Sequence, residues 1–475
     1  MSSSTTFKIA AAAFAVAGAF ASTAHAAGFM LTEQTAGSMG RAYAGVGVDG
    51  TDVGGMYYNP ASMTLHPGTQ VQAGFVGIGL NLDYAGNDGS SANGRFHPQA
   101  IPHGFISHQI NDSTWVGLSL TVPFGMGTDY DSDWAENQRG IKATILTLDI
   151  NPNFAWKVTD KISIGAGVSL QYASADLKIN QKVASSDIGK QMLADPTVQG
   201  AIDELTEATK QDPQAVQGLV YSAATKSEID ADSWAWGFNV GLMWTPVENL
   251  RFGISYRSKI THDAEGSLNI SDPNESMATL MDAMQAYATS GVASQQFQAV
   301  AGKFSGLLGS MDGAATVSAP AWVMASAAWD VNDLLSLYAT FRWTDWSSFD
   351  KLEIYGGGTK MATVTNKWRD TYLGSLGADL RLTDWWTLRG GVAYESSPIS
   401  DPSYRTAIIP DADRWWFAVG SSFKLMDNLI WDISFAHLHG VHERNLHKAE
   451  GSSNVVGKFR KLDAYLLGTQ LQYKF

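Results

Sequence analysis

Four histidines, His437, His439, His442 and His447, cluster near the carboxyl end of this 475-residue chain and are its most evident metal-ligating types. His437 and His439 continue the alternate-residue face of Leu429, Trp431, Ile433 and Phe435, so they read as membrane-interface residues at a strand end rather than as ligands. Asp129, Asp131 and Asp133 open like a calcium loop, but Trp134 stands where that loop needs glycine and Gly140 where it needs glutamate. They read as a solvated loop. No G-x-S-x-G, P-loop, dinucleotide fingerprint or H-E-x-x-H is present. A Ser/His site assembled without a local motif, as in a barrel lipase, stays as a remote alternative. The expectation is a protein that is not an enzyme, with no cofactor and no metal.

Two other groups of residues could act on a ligand. Arg251, Arg257, Arg342, Arg389 and Arg414 alternate with apolar residues, and Arg369 shares their face. They either pair with acids such as Asp379 and Asp432, or offer a guanidinium fork to a carboxylate. Met277, Leu280, Met281, Met284 and Tyr287 recur at helical spacing, as do Phe297, Val300, Phe304, Leu307 and Leu308, and Ile202 with Leu205. These faces pack on each other, or form an adaptable apolar groove in which Met281, Met284 and Phe304 receive a greasy ligand.

The elements that must position these residues alternate with a period of two. Tyr465, Leu467, Thr469, Leu471, Tyr473 and the terminal Phe475 share one face; Gly468, Gln470, Gln472 and Lys474 share the other. Fourteen such segments are expected, near 69–84, 98–110, 114–124, 142–158, 161–179, 232–245, 249–270, 317–330, 333–349, 367–382, 385–396, 412–426, 428–440 and 459–475. Tight turns rich in Asp, Asn, Thr and Pro join strands 2–3, 4–5, 6–7, 8–9, 10–11 and 12–13, and the other links are longer. Short periplasmic turns alternating with long outer loops, an even strand number and a terminal aromatic predict an all-β, 14-stranded antiparallel transmembrane β-barrel with both termini periplasmic. Trp115, Trp156, Trp244, Trp329 and Trp386 lie near the short turns and would form the periplasmic aromatic girdle. A large soluble β-sandwich with core tryptophans is the alternative.

Composition and processing signals agree. Residues 1–26 read as a secretory signal peptide, with Lys8, an apolar stretch from Ile9 to Phe20 and Ala24-His25-Ala26 as cleavage site. No later apolar run is long enough for a membrane helix. Hydrophobic content of 45% with mean hydropathy −0.10 suits a barrel that alternates rather than a helical membrane protein. There is no cysteine, so stability does not come from disulfides, and the net charge of −14 argues against nucleic acid. Two insertions, 181–231 and 271–316, carry helical spacing and are expected as long extracellular loops.

Residues 27–68 are rich in glycine and small residues and contain no strand of membrane length, so they read as a hatch, or plug, for the barrel formed by residues 69–475. Ala27-Gly28-Phe29, Gly40-Arg41-Ala42-Tyr43-Ala44-Gly45 and Asn59-Pro60-Ala61 resemble the outer-membrane long-chain fatty acid transporter family, which includes aromatic-hydrocarbon uptake proteins (FadL-like). The resemblance continues through Pro123-Phe124-Gly125-Met126-Gly127-Thr128-Asp129-Tyr130, Tyr256-Arg257-Ser258, Asp384 to Gly391 and Ile409 to Arg414. It implies capture of a hydrophobic ligand at the outer loops, an interior pocket, and sideways release through a gap in the wall into the membrane. It also places a basic residue near the start of strand 10, where this chain has Arg369.

Independently, Pro123 cannot donate to a ladder, and Gly125 and Gly127 permit a bend. This run is either a kink in the wall or simply the end of strand 3 at Val122. The expected gating set is Gly28, Asn59, Pro60, Ala61, Pro123, Phe124 and Gly125, with Asn59-Pro60 seated near that kink; Phe29 and Leu31 at the pocket floor join Arg257, Arg342 and Arg369 as ligand contacts. The ligand is expected to be a long-chain fatty acid, alternatively an aromatic or aliphatic hydrocarbon, and the partner the outer-membrane lipid around a monomer. A general porin would lack the hatch and the Met-rich loops.

Overall fold

In the computed structural model, which describes residues 28–93, 99–183, 187–209, 213–305, 308–442, 444–449 and 451–475, fourteen antiparallel strands close into one barrel. The signal-peptide reading lies outside the described residues. The wall strands are β1 (Thr69–Gly86), β2 (Gln99–Asn111), β3 (Thr114–Thr121 and Gly125–Asp129), β4 (Lys142–Thr159), β5 (Ile162–Lys182), β6 (Ala224–Val247) and β7 (Leu250–Arg257 and Ile260–Ser271). They continue as β8 (Gly309–Ala319 and Trp322–Asp330), β9 (Leu335–Thr344), β10 (Thr371–Thr383), β11 (Trp386–Glu395), β12 (Arg414–Met426), β13 (Leu429–Gly440) and β14 (Val455–Lys474). Each pairs with its sequence neighbour, and β14 returns to β1 in register from Gln70↔Lys474 to Gly86↔Gly457. Closure leaves neither the first nor the last strand as an open sheet edge, which suits lipid because it cannot hydrogen-bond a strand's backbone.

The six short turns fall where the sequence places them. Outward positions carry an apolar belt that includes Phe75, Phe154, Val168, Leu242, Ile254, Phe341, Val419 and Leu467, all exposed. None of the described helices is long and apolar enough to cross a membrane; the strands cross it.

Several boundaries move. β6 begins at Ala224 and β7 runs to Ser271, so the flanks of both insertions are strand, and only their centres are helical. β9 stops at Thr344; residues 346–348 form a 3₁₀ turn, and a hairpin of Lys351–Gly356 with Thr359–Thr365 follows. Trp115 does not join the girdle: it is 3% exposed, and its Nε1 donates to the His66 carbonyl at 3.0 Å. Trp156, Trp244 and Trp329 do face outward, with Trp385 beside the half-buried Trp386.

The two insertions contribute helices Asp187–Ala194, Pro196–Thr209, Pro213–Ser222, Ser276–Ala288 and Gln295–Ser305. Val198, Ile202, Leu205, Met277, Leu280, Met284, Phe297, Val300 and Phe304 build a core shared by both loops, with Met281 packed at its margin. Glu204 ties them further, accepting from Ser294 N (2.9 Å), Ser294 Oγ (2.7 Å) and Tyr287 Oη (3.2 Å). Short helices of this kind are not stable alone and depend on this shared burial. Truncating Phe297→Ala, fully buried there, should cost about 3–5 kcal/mol within the loop core. Hydrogen exchange should then show lost protection across both insertions while heat-modifiable gel mobility of the barrel is unchanged.

Candidate functional site

The wall has one break with consequences inside the barrel. The first segment of β3 pairs with both β2 and β4, but Gly125–Asp129 pairs only with β4. The β2–β3 ladder ends at Gly104↔Leu120. The 8-residue first segment, at about 3.4 Å per residue and a tilt near 40°, puts the break roughly 20 Å from the short β2–β3 turn, within the apolar band.

Backbone exposed at that depth must find partners within the protein. The amino-terminal segment and β4 supply them. Val122 N donates to Gln34 Oε1 (3.0 Å), and Gln34 Nε2 donates back to Val122 O (2.7 Å). Leu31 N donates to Pro123 O (2.8 Å), and Gly125 N donates to Phe29 O (2.9 Å), with Met30 bridged to Phe124. Phe124 is held from the wall: its N donates to Thr147 Oγ1 (2.9 Å), and its carbonyl accepts from Thr147 N (3.0 Å). Residues 29–31 thus act as a short strand added to the kink from the lumen. A Cβ on Gly125 would lie 2.8 Å from the Leu31 side chain, so glycine there permits the close approach.

Phe29 occupies an aromatic cage, with centroids at 4.8 Å from Trp346, 5.2 Å from Phe349, 5.9 Å from Phe124 and 6.2 Å from Trp368. Gly28 sits against the same two tryptophans in a left-handed conformation (φ 65°) that favours glycine, and its N donates to Asp411 Oδ2 at 3.0 Å. A salt-bridge cluster surrounds this point: Asp411 pairs with Arg414, Arg342 donates to Glu395 Oε1 (2.8 Å) and to Thr32 Oγ1 (3.0 Å), and Arg414 Nε lies 3.9 Å from Glu395. A small, partly open cavity adjoins it, lined by Leu80, Leu82, Pro410, Asp411, Ala412, Arg414, Leu438, Leu462, Asp463 and Ala464. Its enclosed space is only about 20 Å³, room for a water-sized group, so a larger ligand requires the lining to move apart.

The expected site residues separate into three places. Gly28, Phe29, Leu31, Pro123, Phe124, Gly125 and Arg342 converge at the break. Arg257 lies elsewhere in the lumen, donating to Asp149 Oδ2 (2.9 Å), Ser169 Oγ (2.6 Å) and Tyr57 O (3.0 Å). Asn59-Pro60-Ala61 is not beside the kink. It sits on β5–β7, where Gly165, Gly241 and Gly253 clear a floor: a Cβ on Gly241 would fall 2.0 Å from Asn59 Oδ1. Asn59 Nδ2 donates to Leu242 O (3.2 Å), and its Oδ1 accepts from Ala61 N (3.1 Å), so it caps the turn that follows. Arg369 does not share the lumen face. Its side chain is 51% exposed, its Nε donates to Ser397 O (3.1 Å), and the neighbouring Trp368 takes the inward position. Met281, Met284 and Phe304 belong to the loop core, away from the cavity.

The remaining lumen arginines pair with acids. Arg41 joins Asp49 and Asp379, and Arg389 joins Asp432 (3.0 Å) and Asp379 (3.5 Å); Arg251 meets Asp330 at 2.9 Å. Sequence reading missed Gln34, Thr147, Trp346, Phe349 and Trp368. An isolated glutamine carries no pattern, but Trp346 and Phe349, three apart just past an alternating run, mark the turn that ends β9.

A closed barrel with an apolar belt, its wall break bonded from inside by the amino-terminal segment, defines a barrel of the outer-membrane type. The chain belongs to the outer membrane protein transport protein family (OMPP1/FadL/TodX), whose family model matches residues 17–475. Its members are transport proteins of the outer membrane, not enzymes. The long-chain fatty acid transport protein of Escherichia coli O6:H1 is 27% identical over 483 residues, covering 100% of both chains. A Pseudomonas aeruginosa FadL homologue of known crystal structure superposes with TM-score 0.76 at 23% identity, over 94% of this chain and 100% of that one. The Pseudomonas putida toluene transporter TodX gives 0.67 at 17% identity, over 93% and 98%.

Glu33, beside the bonded strand, is buried with Oε2 unpartnered. Burial pushes its carboxyl up to about 8; Glu395 adds to the rise, Arg414 and Arg342 partly oppose it, and the Tyr43 and Tyr58 hydroxyls lie nearby. A raised folded-state value means that this group's contribution is complete below the ordinary carboxyl range near 4.5 and is lost as pH climbs through about 8. Hydrogen-exchange protection of residues 29–34 should therefore fall between pH 6 and pH 9. In Glu33→Gln it should stay level, and an equal fall in both proteins would assign the pH effect to another group.

Proposed function

We propose that this protein is an outer-membrane diffusion channel for hydrophobic molecules, with long-chain fatty acids as first substrate. Ligand is captured at the outer loops, where Met281, Met284 and Phe304 make an adaptable apolar core. It passes to the cavity beside Asp411 and Arg414 and leaves sideways where β2 and β3 part. Residues 28–68 act as the hatch, both termini lie in the periplasm, and the barrel works as a monomer in outer-membrane lipid. One observation carries the reading: Phe29–Leu31 is hydrogen-bonded onto Pro123–Gly125, at the place where β3 has no ladder to β2. When those three residues withdraw, the bonds that close the wall break is lost on its lumen side, and a path opens at membrane depth.

The energetics favour that path. An apolar chain gains roughly 0.8 kcal/mol per CH₂ by staying out of water. A C16 chain crossing an aqueous lumen would therefore meet a barrier on the order of 10 kcal/mol, which an exit into lipid avoids. The Escherichia coli relative named for long-chain fatty acids supports that substrate class.

A hydrocarbon substrate is the second reading. It is favoured by the pairing of Arg41, Arg257, Arg342, Arg389 and Arg414 with acids, so that a ligand without a carboxylate displaces no ion pair. The toluene transporter of the same fold is in keeping with it.

The chain has no cysteine, which makes a clean disulfide test available. Met30 and Phe124 are bridge partners flanked by the two hydrogen bonds, a non-hydrogen-bonded pair whose usual Cα separation of about 4.5 Å suits a disulfide. Met30→Cys with Phe124→Cys should stop uptake of a labelled C16 fatty acid when oxidised and restore it on reduction, with each single variant active throughout. Undiminished uptake by the oxidised double variant would exclude movement of this strand from transport. Parallel assays with labelled toluene separate the two substrate classes.

A further inference from the structure

The outer face of the wall carries a second constellation, unrelated to the hatch. β13 turns His437 and His439 outward, two residues apart and therefore on one face. The β13–β14 ladder sets Asp463 directly opposite His439, and Tyr465 opposite His437. One donor atom from each of His437, His439 and Asp463 lies within 4.8 Å of the other two. We infer that these three residues form a site for a borderline divalent cation such as Zn²⁺, at the outer rim of the barrel wall.

Each donor is already held in place. His439 Nδ1 and Asp463 Oδ1 are 2.9 Å apart, and Gly440 N donates to the same carboxylate oxygen at 3.3 Å. Second partners of this kind fix the orientation of a ligating carboxylate. The His437 ring stacks flat on Tyr465, with centroids 4.7 Å apart and planes 7° from parallel. Its Nε2 is buried and has no hydrogen-bond partner, a state that ordinarily costs free energy and that a metal ion would relieve. Two imidazoles and a carboxylate suit zinc, nickel or copper. Calcium and magnesium call for oxygen ligands in greater number. Ligand-to-metal distances near 2.0–2.2 Å require the three groups to draw in by about an ångström, which the half-exposed His439 ring is free to do. A fourth position stays open to water or to a phosphate oxygen.

The site also has a place in the architecture. Leu438, between the two histidines, lines the interior cavity, as do Leu462, Asp463 and Ala464. An ion here would cross-link β13 to β14 on the outside of the wall whose inside faces that cavity. His442 is a separate group, paired with Asp413 at 2.9 Å.

The test uses full-length protein without a polyhistidine tag, purified in detergent, stripped with chelator and titrated with Zn²⁺ by calorimetry. One ion per chain is expected. His437→Gln, His439→Gln and Asp463→Asn should each weaken its affinity at least tenfold, while His442→Gln leaves it unchanged. Heat-modifiable mobility verifies that each variant is folded, and Co²⁺ added to the parent protein should give visible d–d absorption that the His437→Gln/His439→Gln pair lacks. Failure of the parent to bind Zn²⁺, or equal binding and an equal Co²⁺ spectrum in that double variant, would overturn the assignment.

Discussion

A strand that crosses lipid has nowhere to put an unpaired N–H or C=O, and the architecture of this barrel follows from that constraint. The thirteen neighbour pairings and the β14–β1 closure meet it with strand ladders along most of their length. Where β3 leaves β2, the ladder stops and the backbone turns inward for its partners. Gln34 serves both polar groups of Val122, residues 29–31 serve Pro123 and Gly125, and Thr147 serves Phe124. The missing N–H of Pro123 removes the one donor that would otherwise be hardest to place. A break in the wall and a segment in the lumen are thus one feature: neither is satisfied without the other.

The rest of the lumen is arranged to hold that segment. Wall side chains bond its backbone directly: Arg389 donates to Gly37 O (3.0 Å), Gln470 accepts from Ala36 N (2.8 Å), and Ser375 donates to Ala42 O (2.6 Å). Glycines on the wall clear room for it, most closely at Gly391, where a Cβ would fall 2.2 Å from the Arg41 backbone. Buried arginine–carboxylate pairs add little net stability by themselves, since desolvation offsets much of the attraction. Breaking one is costly, so a network of them fixes a single arrangement of the segment.

Period-two alternation and turn parity made the barrel legible from sequence, because a one-residue slip would turn every apolar side chain into the lumen. Those signals are local. What they could not carry is which inward residue meets which part of the amino-terminal segment. The Trp115 position near a short turn spoke for the membrane interface, yet its ring turns in to cap His66. Asn59-Pro60 was recognisable as a motif, but its seat is decided by three glycines on β5, β6 and β7. Arg369 lies off the lumen face because residues 367–370 precede β10, so strand alternation does not govern them. In each case the deciding contact is separated in sequence by tens to hundreds of residues.

The contacts between cavity and break form a short mechanical chain. Asp411 and Arg414 line the cavity; Asp411 also holds Gly28 N; and Gly28 adjoins Phe29, whose carbonyl accepts from Gly125 at the kink. On the proposed route, a ligand that draws Arg414 or displaces Asp411 acts one residue away from the strand that closes the wall. The aromatic cage opposes that movement, because Phe29 leaves four ring contacts when it goes. An apolar ligand reaching the same cage can replace those contacts in kind, whereas water cannot. That difference would make the break selective for greasy molecules without any pore wide enough to pass polar ones.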